Sequence, residues 1–188
     1  TTAGAQGGFE AAGLVPDVLP SFDPIAVLDI SYPSINGSNF LVRMNENMSV
    51  PSIGPAPQIF LSFNRSVVPH LADETFTLIT VDPDAPTPQN TSISDVLHLL
   101  IANVRVTGHL DTFAPLSNTT ALAPYLSPTP PVGSDPHRYT WMLFVQPRGF
   151  VEAATPLIPA DRISFNFTTF RKATGLGSPV AGTFFRSG

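Results

Sequence analysis

The sequence predicts an all-β sandwich with a few short peripheral helices. Three observations carry that expectation. Apolar residues alternate with polar ones in short runs rich in Val, Ile, Thr and Phe, seven such runs are separated by turn signals, and the 21 prolines fall almost wholly between them, where no ladder hydrogen bond is lost. A length of 188 residues suits one domain, spanning 1–188, because dividing it would leave each half close to the size at which burial becomes marginal.

Taken in order, residues 1–8 are small and polar and are expected to be loose. A short amphipathic helix follows, with Phe9, Ala12 and Leu14 on one face and Gly13 and Pro16 ending it. The period then becomes two, and strands are expected at 25–32, 40–44, 58–63, 75–81, 96–104, 139–146 and 162–167. Between 116 and 136 lies a proline-bearing stretch that also holds Tyr125, Leu126 and Val132, so it reads as a loop packed over the domain. A last helix is expected over 168–174, capped by Asn166 or Thr168 and stopped by Gly175.

Composition narrows the function classes. Nine basic residues, Lys172 the only lysine among them, and a net charge of -5 provide no basic run for a phosphate backbone, so nucleic acid is not an expected partner. The longest apolar stretches, such as 99–104, are too short to span a bilayer, and no transmembrane segment is expected. Six of the nine asparagines, Asn36, Asn47, Asn64, Asn90, Asn118 and Asn166, head N-x-[ST] sequons, where chance would give about two. That excess points to glycosylation and a secreted or extracellular location. A chain opening on Thr1, without a visible signal peptide, suits a mature or trimmed product. The lack of cysteine is neutral at this size.

Three segments join polar groups to backbone constraint. Asp82-Pro83-Asp84-Ala85-Pro86 follows a strand, and its prolines stiffen the chain behind the Asp82 carboxylate. Turn capping by Asp82 and Asp84 accounts for the same pattern. His98 stands among Val96, Leu97, Leu99, Leu100 and Ile101, either as a hydrogen-bonded core residue or as the wall of a pocket. In Pro136-His137-Arg138-Tyr139, alternation puts His137 and Tyr139 on one face and turns Arg138 toward an acid behind, Asp84 or Asp135.

These segments, with Gly133-Ser134-Asp135-Pro136-His137-Arg138-Tyr139, Pro179-Val180-Ala181-Gly182-Thr183-Phe184-Phe185 and the early Val15-Pro16-Asp17-Val18-Leu19, resemble the ordered signature of the phosphatidylethanolamine-binding protein family. That family includes kinase inhibitors, flowering regulators and a yeast carboxypeptidase inhibitor. The resemblance implies a pocket for phosphate-like anions or phospholipid head groups, formed by Asp82, Pro86, His98, His137 and Tyr139 with Pro130 and Pro131 in the covering loop. It also implies a cis Ala85–Pro86 bond. The chain differs from many members in carrying Leu97, Val96 and Ile93 where a second histidine and two aromatic residues are common, and Ser127-Pro128-Thr129 in place of a glycine-rich turn.

The function expected is therefore non-catalytic binding, with no cofactor and no bound metal. P-loop, G-x-S-x-G and H-E-x-x-H motifs are absent from the sequence. Two alternatives stand beside it: inhibition of a secreted serine carboxypeptidase, and a metal-dependent enzyme using Asp82, His98 and His137 as a two-histidine, one-carboxylate set.

Overall fold

A computed structural model describes residues 1–34, 37–63, 68–107, 114–117 and 121–188. Two antiparallel sheets face each other among these residues. One has the order β2-β1-β3-β6, formed by Asn39–Leu41, Val27–Pro33, Gln58–Ser62 and Ala114–Pro115. The other has the order β7-β5-β4-β8-β9, formed by Ala121–Ala123, Val96–Val104, Phe76–Asp82, His137–Val145 and Ala181–Ser187.

The five-stranded sheet is covered on both faces, which is why all seven residues of β4 are buried and its sequence shows little polar alternation. Leu78, Leu99, Tyr139, Trp141 and Phe185 face the smaller sheet and meet Tyr32, Ile30 and Leu61. On the opposite face Ile79, Leu97, Met142, Phe144 and Phe184 pack under helices. Those helices are α1 (Thr2–Ala11), the short α2 (Leu14–Asp17), α3 (Phe150–Ala154) and α4 (Phe167–Thr174).

Residues 2–8 are helical rather than loose. The Thr1 hydroxyl caps α1 by accepting from the Gly4 N–H, and Ala5 and Phe9, one turn apart, are both buried. Glycine, a poor helix former, is tolerated here because it permits close approach: a Cβ at Gly8 would collide with the Met44 sulfur. Phe9 stacks on Phe22 at 4.1 Å, and both rings lie over Gly182 of β9, where a Cβ would meet them at 3.0 and 3.1 Å. Gly13, at φ +72°, ends the helix as expected.

The expected strand at 162–167 is not one. Arg162 and Ser164 take positive φ of 66° and 52°, and the segment runs beside 93–97 through three backbone hydrogen bonds before entering α4. Strand β9, which pairs with β8 from Ser187↔His137 to Ala181↔Leu143, and helix α3 were not anticipated as elements. Helix α4 begins at Phe167, with Asn166 Oδ1 accepting from the Thr169 N–H at 2.8 Å, and ends at Gly175 with φ +72°. Within 116–136, β7 joins the edge of β5 and Tyr125 packs inward, while Val132 is fully exposed at a loop tip.

Candidate functional site

Asp82, the last residue of β4, is 3% exposed and is held by two contacts. Its Oδ1 accepts from the Asp84 N–H at 2.8 Å, an Asx turn, so the capping reading was correct for this oxygen. Its Oδ2 is 2.8 Å from His137 Nδ1, at the start of the neighbouring strand β8. The Ala85–Pro86 bond is cis. Pro86 lies beside the site, and its backbone adds to the raised His137 pKa.

The second ring nitrogen, His137 Nε2, is 2.9 Å from Ser134 Oγ. A tight turn delivers this hydroxyl: the Ser134 N–H donates to the Pro131 carbonyl at 3.0 Å, across Gly133 at φ +83°. Carboxylate, imidazole and hydroxyl thus follow one another as in a serine hydrolase, but the proton count differs. Ser134 has one hydroxyl hydrogen and donates it to the Asp135 carbonyl at 2.9 Å, so it accepts from Nε2–H. Nδ1 donates to the carboxylate. Every contact is satisfied when His137 is an imidazolium. Burial pulls its pKa down, but the bond to Asp82 and the charges of Asp82 and Asp84 outweigh that and hold it above the ordinary 6.5.

His98 differs from the expectation that both histidines donate to a ligand. It is the extra residue of a β-bulge, since Thr80 faces Leu99 while the next residue, Val81, faces Leu97. The bulge turns His98 and Leu99 to the same side of β5. His98 Nδ1 donates to the Leu126 carbonyl at 2.7 Å, and the Leu126 N–H returns a bond to the His98 carbonyl at 2.8 Å. Burial lowers its pKa and keeps it neutral, leaving Nε2 as a bare, unpartnered acceptor. Tyr139 links the two histidines, parallel to His137 at 6.2 Å and edge-on to His98 at 5.1 Å. Burial, then Asp82 and Asp84, push the Tyr139 phenol up, so it stays protonated.

Of the covering loop, the buried Pro128 lines the void beside His98, whereas Pro130 is half-buried and Pro131 is exposed. Pro131 acts through its carbonyl, by fixing Ser134. Arg138 points the other way, as alternation requires: Nε and Nη2 fork onto Asp84 at 2.9 and 2.7 Å, and Nη1 reaches Asp17 at 3.0 Å and the Ala12 carbonyl at 2.8 Å. Asp135 instead accepts from Gln89, tying the 87–90 turn to the Ser134 loop at 2.6 Å. Among the described residues, no three His, Asp or Glu side chains converge to hold a metal ion. Asp82 and His137 are bonded to each other rather than aimed at a common point.

Ser134 was missed as a contact residue although its motif was noted; its signal is its place in a Gly-containing turn three residues before a histidine. Of the sequons, Asn47, Asn90 and Asn166 are exposed, and Asn36, Asn64 and Asn118 lie outside the described residues.

A two-sheet sandwich with this carboxylate–imidazole pair at adjacent strand ends defines a family. The chain matches the family described as phosphatidylethanolamine-binding protein over residues 42–185, and it belongs to that family. It is 29% identical to carboxypeptidase Y inhibitor of Saccharomyces cerevisiae over 93% of this chain and 83% of that one. The fold superimposes on the crystal structure of carboxypeptidase Y inhibitor complexed with the cognate proteinase with a TM-score of 0.81 and 26% identity, covering 99% and 95% of the two chains. It also resembles phosphatidylethanolamine-binding protein from Plasmodium vivax, with a TM-score of 0.71, 18% identity and coverage of 97% and 96%. No described helix is long and apolar enough to cross a membrane.

Proposed function

We propose that this protein is a non-catalytic binding module that recognises a phosphate-like anion or a phospholipid head group at His137. The observation that carries this reading is the chain Asp82–His137–Ser134, in which a charged ring offers Nε2–H to a neutral hydroxyl oxygen. An anionic oxygen is a stronger acceptor than that hydroxyl and takes its place. Calorimetry with sulfate, whose charge is constant over the useful pH range, tests it. His137→Ala should lose a charge-assisted hydrogen bond of about 1.5 to 3 kcal/mol, roughly a ten- to hundredfold fall in affinity. Equal affinity in parent and variant would overturn the reading.

The likeness to carboxypeptidase Y inhibitor over nearly the whole chain favours a second role, inhibition of a serine carboxypeptidase. Titration against such a peptidase distinguishes the two: an inhibitor blocks turnover at stoichiometric amounts, and an anion binder alone leaves it unchanged. The sequon excess supports a secreted glycoprotein. Asn90 borders the anion site through the Gln89–Asp135 bond, so a glycan there would hinder large partners and admit small ones.

A further inference from the structure

An apolar cavity lies apart from the Asp82–His137 pair. It occupies about 480 Å³ between the two sheets, within the size range of small-molecule sites. Its walls include Ile59, Leu78, Leu99, Ile101, Leu116 and Ala121, and no charged side chain lines it among the described residues. At one end stand Tyr125 and Trp141, stacked at 6.1 Å, which also line the small void under Pro128.

Three residues of that void hold buried polar atoms without partners: Thr80 Oγ1, His98 Nε2 and Trp141 Nε1, on side chains at most 4% exposed. Leaving such atoms unpaired is costly, and three of them on residues that line one void mark a place where a ligand group belongs. Their chemistry specifies the group. Trp141 Nε1–H only donates; His98 Nε2 only accepts, because Nδ1–H is committed to Leu126; the Thr80 hydroxyl does either. A hydroxyl both accepts from Trp141 and donates to His98. A carboxylate cannot donate to His98 and would be buried without a counter-ion, while an ammonium cannot accept from Trp141.

We propose that the inter-sheet cavity binds a neutral long-chain alcohol, with its apolar body between the sheets and its hydroxyl between Trp141 Nε1 and His98 Nε2. The void has no room for a water while Pro128 caps it, so Pro128 shifts as the hydroxyl enters. This site is separate from the anion contact at His137 Nε2.

Trp141 is the only tryptophan of the chain, so its emission reports occupancy directly. The experiment titrates the protein with 1-decanol and with decanoate at pH 8, following Trp141 fluorescence and counting bound molecules by native mass spectrometry. Decanol should bind one to one, shift the emission and bind at least tenfold more tightly than decanoate. Ala121→Phe, and separately Leu116→Phe, should fill the cavity and weaken decanol binding at least tenfold while sulfate affinity stays at the parent value. Two variants are used so that a folding defect in one, seen as lost sulfate binding or a lost cooperative melt, leaves the other to decide. No saturable decanol binding, equal affinity for decanoate, or unchanged decanol affinity in a folded cavity-filled variant would overturn the proposal, whatever the outcome for sulfate.

Discussion

At the scale of single residues, the site depends on which atom carries each proton. His137 is a donor at both nitrogens because its neighbours, Asp82 Oδ2 and Ser134 Oγ, both act as acceptors. His98, two strands away, is neutral and spends its only N–H on the Leu126 carbonyl. The sequence placed Asp82, His137 and Tyr139 together correctly, since alternation along β8 and the end of a stiffened strand are local properties. It could not assign unequal roles to the histidines, because these depend on a bulge and on a loop carbonyl 28 residues away. Ser134 occupies the donor that an anion needs, so it competes with the ligand. Ser134→Ala removes a competing hydrogen bond from the charged ring, about 1.5 to 3 kcal/mol, and should raise sulfate affinity at least about tenfold. A fall in affinity would make Ser134 part of the ligand contact instead.

At the scale of elements, Arg138 joins three separate pieces of chain: the turn after β4 through Asp84, the end of α1 through Ala12, and α2 through Asp17. Its partner Asp84 is 3% exposed and also accepts the Arg138 N–H at 2.7 Å. Arg138→Ala would leave that carboxylate buried without its cation, at a cost of about 3 to 5 kcal/mol, and should lower the melting temperature sharply. Asp17 is more exposed, and its share of the pairing is small. A melting temperature close to the parent's would show that Asp84 is satisfied otherwise. The same elements show where sequence reading stops. Helix α4 was legible because Asn166 and Gly175 mark both ends, while α1 was missed over residues 2–8 because glycine is a poor helix former and the tertiary contact that favours it at Gly8, the Met44 sulfur, is not visible in the local sequence. The run at 162–167 reads as a strand because Ile163, Phe165 and Phe167 alternate with polar residues, yet Arg162 and Ser164 take positive φ and the segment bonds to 93–97.

At the scale of the whole molecule, two groups give stability the same pH slope. Asp95 is half-buried, and burial, partly offset by the Phe167 N–H and Ser94, pushes its pKa from 3.8 up to about 6. A carboxyl raised on folding binds its proton more tightly in the native state, so stability declines as pH rises from about 4 to 6 and the full penalty persists above. The His137 contribution has its folded pKa above 6.5, so it is fully present below about 6.5 and is lost as pH rises through the folded value. Asp95→Asn removes the first ionisation and retains an oxygen acceptor. It should stabilise the protein by about 1 to 3 kcal/mol at pH 7.5 and by much less at pH 4. Equal effects at the two pH values would mean that the Asp95 charge is not the cause. The charge on His137 is also what the binding proposal requires, and NMR titration of the histidine rings with and without sulfate measures it most directly. The account predicts a His137 pKa above 6.5 that rises further with sulfate, because a ligand that prefers the imidazolium stabilises it, while His98 remains neutral throughout. A His137 pKa that sulfate leaves unmoved would contradict it.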